Sequence, residues 1–160
     1  MHPEQEYPPC DIRIDKDGVW HYRGQVMFRK EIVNYFYQHL KQDPQGAYII
    51  DLGEDCCYLE VEDAPFVVQS VQNLTSDSIE QSSSILIRLS DDTMEELDPS
   101  TLTIGEGNVM YCRVKNGAFR ARFSRPGYYQ LADQIQYDEI SDRYEIHIGN
   151  RRHIIGVPST

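Results

Sequence analysis

Positive charge is nearly missing from the middle of this chain: residues 42–112 hold fifteen acids and only one base, Arg88. Residues 1–41 balance six acids with six bases, and residues 113–160 carry eight bases against five acids, for a net charge of −11. A polymer of phosphates demands a broad positive surface, so a general nucleic-acid binder is excluded, while a local anion site in the C-terminal third is not. No apolar run approaches the roughly 18 residues of a membrane span. Neither a basic start nor an apolar stretch marks a secretory leader, so a cytoplasmic protein is expected.

Cysteine is scarce and lacks metal spacing. Cys10, Cys56, Cys57 and Cys112 contain no C-x-x-C pair, so in a reducing compartment all four are expected as thiols. In a strand, Cys56 and Cys57 would point to opposite faces and could not share an ion. His21, His39, His147 and His153 follow no zinc pattern. No G-x-S-x-G elbow, H-E-x-x-H pair or phosphate-binding glycine loop occurs, and Gly105-Glu106-Gly107 lacks the third glycine and the following helix. No catalytic residue, metal or cofactor is assigned, and a non-catalytic role is expected.

What the chain does have is patterning. A hydrophobic share of 40% and eleven tyrosines suit a globular fold, and 160 residues can bury about 70% of their unfolded surface. Asp11–Ile14 and Val19–Tyr22 read as strands around an Asp17-Gly18 turn, and Arg23-Gly24 turns the chain again. A helix is expected from Arg29, with Ile32, Tyr35, Phe36 and His39 as its apolar stripe. Ala47–Leu52 and Cys56–Val61 form a hairpin about Gly53-Glu54-Asp55.

Residues 70–83 are polar and small and read as a mobile connection. Ser84–Leu89 reads as a strand, Asp91–Ser100 as a solvated acidic loop or short turn of helix, and Leu102–Ile104 as a strand. Asn116-Gly117 between alternating segments is the preferred two-residue hairpin turn. Its register places Val114 opposite Phe119, Cys112 opposite Ala121 and Met110 opposite Phe123 on an apolar face. Arg113 then lies opposite Arg120, and Tyr111 opposite Arg122. Two facing arginines repel unless water, the acidic segment or an anion screens them. Ser124 is an N-cap candidate for a second helix, with Pro126 in its first turn and a stripe of Tyr128, Leu131, Ala132 and Ile135. Arg143–Ile148 and Arg152–Val157 close the chain as a hairpin around Gly149-Asn150.

A weak internal echo links the halves. At a displacement of 96 positions Arg29 meets Arg125, Gln38 meets Gln134, Tyr48 meets Tyr144, Ile50 meets Ile146 and Gly53 meets Gly149. The expectation is a strand-rich α+β protein of two similar hairpin-helix-hairpin repeats, residues 1–70 and 71–160. A ligand would sit where the copies meet.

Three passages carry a family likeness: Asp17-Gly18-Val19-Trp20-His21-Tyr22, Val61-Glu62-Asp63-Ala64-Pro65-Phe66, and Ala121 through Tyr129, which includes Arg125-Pro126-Gly127-Tyr128-Tyr129. Over residues 11–132 the chain resembles the bacterial family called domain of unknown function 1285. The resemblance implies internal duplication, a second half like a pleckstrin-homology domain, a cleft between the halves for a nucleotide-like molecule, and a role in signalling. No activity comes with it. Where the family pattern has threonine-asparagine-glycine-aspartate after the central strand, this chain has Ser90-Asp91-Asp92-Thr93-Met94-Glu95-Glu96.

Arg29 and Arg125 open the two expected helices, where free backbone N–H groups and the positive dipole end favour an anion. They are the leading candidates for a small anionic ligand. Lys30 and Arg122 add field, Tyr128 packs beside the ligand, and Asp63 is the acidic candidate. The competing expectation is structural, with the arginines paired to Glu62 or Asp63. In that case the chain is a protein-interaction module whose acidic segment and free sheet edges engage a protein partner or a second copy.

Overall fold

In the computed structural model, which describes residues 7–75, 83–149 and 151–156, the chain divides into an N-terminal unit, Met1–Pro65, and a C-terminal unit, Phe66–Thr160. The fold is α+β and strand-rich: two six-stranded mixed sheets, a three-stranded sheet and, among the described residues, two α-helices.

The N-terminal unit begins with β1 (Pro9–Ile14), β2 (Trp20–Tyr22) and β3 (Gln25–Val26). Asp15 makes the first turn, its carboxylate accepting the N–H groups of Asp17 and Val19. Arg23 and Gly24, at φ 51 and 82, make the second, a conformation that matches strand twist and that glycine adopts without cost. After α1 (Lys30–Gln38) come β4 (Leu40–Gln42), β5 (Tyr48–Asp51) and β6 (Cys56–Val61). The sheet order is β3-β2-β1-β6-β5-β4, with β1 and β6 paired in parallel at its centre.

One face of this sheet packs Ile12, Ile14 and Trp20 toward α1, where Tyr37 meets the Trp20 ring edge-on at 4.8 Å and Phe36 stacks on it at 6.3 Å. The buried stripe of α1 is therefore Val33 and Tyr37 with Phe36 beside them, one position off the expected stripe, and Tyr35 is exposed. The shift has a polar cause: the Tyr37 hydroxyl donates to Pro65 O at 2.9 Å, so this tyrosine can be buried with its O–H satisfied.

The C-terminal unit opens with β7 (Phe66–Thr75), β8 (Ser83–Leu89), β9 (Met94–Glu96), β10 (Thr103–Ile104), β11 (Met110–Val114) and β12 (Phe119–Phe123). Its sheet runs β10-β11-β12-β7-β8-β9, again with a parallel pair, β12 and β7, in the middle. Two expectations are corrected here. Residues 70–75 are not a connection but half of β7, paired through to Ser83 and Ser84 of β8; residues 76–82 lie outside the described residues. The acidic segment is not all loop, since Met94–Glu96 pairs with β8 and Asp98 caps a 3-10 turn at Pro99–Thr101. Polar side chains hid both, because an edge or hairpin strand needs an apolar residue on only one face.

The Asn116-Gly117 hairpin has the expected register: Val114 faces Phe119, Cys112 faces Ala121, Arg113 faces Arg120 and Tyr111 faces Arg122. The two arginines escape one another sideways. Arg113 donates to Gly117 O at 3.1 Å, and the Arg120 guanidinium lies over the Tyr111 ring at 4.2 Å. Lys115 meets the acidic segment, with Nζ 2.8 Å from Asp91 Oδ2 and its backbone N–H directed at Glu95. Because β9 is the far edge of the sheet from β11, this contact requires the sheet to coil until its ends approach.

Beyond β12, α2 (Arg125–Ala132) leads into β13 (Ile135–Asp138), β14 (Arg143–Ile148) and β15 (Arg151–Ile154). Ser124 is the N-cap, its Oγ accepting the Gly127 N–H at 3.1 Å. Ile135 belongs to β13 and not to the helix; likewise β4 follows α1, so each helix feeds a three-stranded meander and not a bare hairpin. Within the meanders, Ile49 pairs with Tyr58 and Ile50 with Cys57, while Glu145 pairs with Ile154 and Ile146 with His153. No helix among the described residues is long and apolar enough to cross a membrane.

The cysteines depart from expectation. Cys10 and Cys57 are joined in a disulfide, with their Cα atoms 5.0 Å apart. Parallel pairing of Pro9 with Tyr58 brings the two residues within bridging reach, a contact across 47 positions that spacing does not reveal. Cys56 and Cys112 are free.

Candidate functional site

The two helix starts differ in how they treat their arginines. Arg29 is the N-cap of α1 and makes no side-chain cap of its own. Its guanidinium reaches Glu31 Oε2 at 3.2 Å, both side chains about 70% exposed (71% and 70%). Glu31 is held below the usual carboxylate range, first by its own backbone N–H and then by Arg29. A carboxylate thus already occupies the anion position at this helix start. The structural expectation of a pair with Glu62 is corrected: Glu62 accepts from Arg13 Nη1 at 3.2 Å and from the Lys16 N–H at 3.0 Å.

Beside Arg29 lies a groove of about 250 Å³, lined by Tyr22, Val26, Met27, Phe28 and Ile32. The hairpin β2–β3 and the chain entering α1 build it, and Phe28 stands 87% exposed at its rim. Lys30, the first residue of α1, is exposed next to Arg29. Asp63 is half-buried after β6, near the end of the N-terminal unit.

The remaining candidates fall in the C-terminal unit. Arg122, half-buried on β12, faces Tyr111 on one side and Val67 on the other. Arg125, the first residue of α2, is exposed. Tyr128 is half-buried with its ring 5.7 Å from Tyr129. The six candidates therefore form two groups, Arg29, Lys30 and Asp63 in one unit and Arg122, Arg125 and Tyr128 in the other. Of the groove residues, Tyr22 was legible as an aromatic able to stack on a base, while Met27 and Phe28 escaped sequence reasoning. Their signal was the apolar run Val26-Met27-Phe28 directly after a tight turn, too short to build a core strand.

No curated protein matches the chain. Two crystal structures share its fold. A DUF1285 family protein from Silicibacter pomeroyi DSS-3 is similar with a TM-score of 0.72 and 18% identity, over 94% of this chain and 84% of that one. A DUF1285 family protein from Shewanella baltica OS155 gives a TM-score of 0.63 and 18% identity, over 84% of this chain and 96% of that one. Residues 2–64 match the family model described as domain of unknown function (DUF1285), N-terminal domain. Residues 2–64 are thus similar to that family's N-terminal domain, and over the rest of the chain the likeness to the two DUF1285 family structures is one of fold.

Proposed function

We propose that the protein binds a small anionic, nucleotide-like molecule in a regulatory, non-catalytic role, with Arg29 and the groove beside it as the primary contact. One observation carries the reading: a groove of about 250 Å³ is lined by two aromatic residues, Tyr22 and Phe28, together with Arg29. Rings offer stacking to a planar moiety, and a guanidinium takes phosphate in a two-pronged hydrogen bond. The existing Arg29–Glu31 pair is exposed and screened by solvent, so a phosphate displaces Glu31 at small cost.

Lys30 and Asp63 are the further proposed contacts in the N-terminal unit, and Arg125, the first residue of α2, is the proposed contact of the C-terminal unit with Arg122 and Tyr128. The shared pairing register of β5–β6 and β14–β15 at a displacement of 96 supports the two meanders as copies of one unit. The coiled sheet with a helix after its last strand supports the pleckstrin-homology-like reading of the C-terminal unit.

A nucleotide panel tests this by mass action on the folded state. The expected result is a saturable rise in melting temperature that Arg29→Ala abolishes and Arg125→Ala weakens. If no nucleotide shifts melting, the reading fails. The 87% exposure of Phe28 beside edge strand β3 favours a second reading, a protein-docking surface. A stoichiometric partner lost on Phe28→Ala supports it.

A further inference from the structure

The pairing of β1 with β6 contains a slip. Pro9 faces Tyr58 but Arg13 faces Glu60, four steps along one strand against two along the other. Asp11 absorbs the excess at φ 63, in the left-handed region. A bulge of this kind bends its strand and opens the ladder, and here a cavity of about 330 Å³ lies at the break. It lies on the side of the sheet that carries His21, Arg13 and Glu60. These are neighbours across three adjacent strands, since His21 pairs with Arg13 and Arg13 with Glu60. Ile12 and Leu59, both buried, show at the floor, while Tyr58 and Pro9 form a wall.

The rim carries both signs. Arg23 donates through Nε to Asp11 Oδ2 at 3.2 Å and is itself mostly exposed. Arg13 is turned to Glu62 at 3.2 Å, which leaves Glu60 with no ion pair among the described residues. His21 is held by Asp15 at 3.0 Å. A simple anion here meets Asp11 and Glu60; a simple cation meets Arg13 and Arg23. Only a molecule with both charges a few ångströms apart satisfies the rim. The volume is near the lower end of small-molecule sites, about 300 Å³, which suits an amino acid.

We infer that this cavity is a binding site for a free α-amino acid, its carboxylate taken by Arg23 and Arg13, its ammonium by Glu60, and its side chain laid against Tyr58. The Cys10–Cys57 disulfide sits directly beside it. Cys10 lies between Pro9 and Asp11, and Cys57 precedes Tyr58, so the bridge fastens both walls. The oxidised protein is the binding form.

The test uses the full chain and a panel of free L-amino acids, each beside its deaminated acid and its decarboxylated amine, read by titration of backbone amide resonances. At least one amino acid is expected to move residues 11–13 and 58–60 saturably, with both analogues at least tenfold weaker. Glu60→Gln should weaken binding tenfold or more at unchanged melting temperature, because Glu60 supports no fold contact. Cys10→Ser should weaken it as well. Absence of saturable shifts overturns the site, and equal binding of the deaminated acid reduces it to a plain anion site. Equal binding by Cys10→Ser overturns the redox dependence. Arg29→Ala leaves this binding intact, which separates it from the nucleotide groove.

Discussion

The carbonyl of Val68 in β7 receives the Ser124 N–H at 2.9 Å, and a Cβ placed on Gly127 would lie 2.8 Å from that same oxygen. The start of α2 is therefore pressed against the sheet backbone with no room for a side chain. Gly127→Ala should cost about 1–3 kcal/mol through overpacking. Chemical denaturation measures it, and an unchanged midpoint would show that α2 can lift away from β7.

Trp20 is the single tryptophan, 2% exposed, and its indole N–H has no hydrogen-bond partner. An orphan buried donor carries a desolvation cost of about 1–3 kcal/mol. Trp20→Phe, which removes it, should lose less than about 2 kcal/mol, against about 3–5 kcal/mol for Trp20→Ala. Equal losses would show that the N–H is satisfied in solution. The native fluorescence should be blue-shifted and should report unfolding of the N-terminal unit.

Non-reducing denaturation should expose two alkylatable thiols, Cys56 and Cys112, with Cys10 and Cys57 bridged. A cross-link that closes a loop of 47 residues contributes roughly 4 kcal/mol by chain entropy. Reduction, or Cys57→Ser, should therefore lower the stability of the N-terminal unit by an amount of that order. In the native protein Cys112 should resist alkylation, since burial first and then Glu95 and Asp98 push its thiol up to about 12.

Asp51 gives a pH signature. The Gly53 N–H first, then Lys41 and the Cys56 thiol, lower its carboxyl from 3.8 to about 2. A folded-state pKa below the unfolded one means that the contribution is complete above about pH 4 and is lost as pH falls toward about 2. The stability gap between the wild type and Asp51→Asn should narrow over that window. The same carboxylate raises the Cys56 thiol, so Asp51→Asn should speed its alkylation at neutral pH.

Local rules reached the parts of this fold governed by local contacts. The Asn116-Gly117 turn determined its hairpin because Asn and Gly both accept the positive φ of a two-residue turn, and Lys115 before them is also at φ 57. Ser124 was legible as a cap because its partner, Gly127, lies three residues away. The parallel pairs, the Cys10–Cys57 bridge and the slip at Asp11 were not legible, since each joins segments more than forty residues apart. β7 and β9 were missed because one polar face masks a strand. The arginines were located correctly at the helix starts, but the groove beside Arg29 depends on how a hairpin packs against a helix.

Both large sheets place a parallel pair at their centre, β1 with β6 and β12 with β7. On the ribosome, β1 has no central neighbour until Val61 has emerged, and Phe66–Val68 wait until Phe123. Neither sheet can be completed by zipping successive hairpins. Closure of these long loops should set the pace of folding, and a nascent chain halted before either point would leave one edge of a hydrophobic strand open for chaperones to shield.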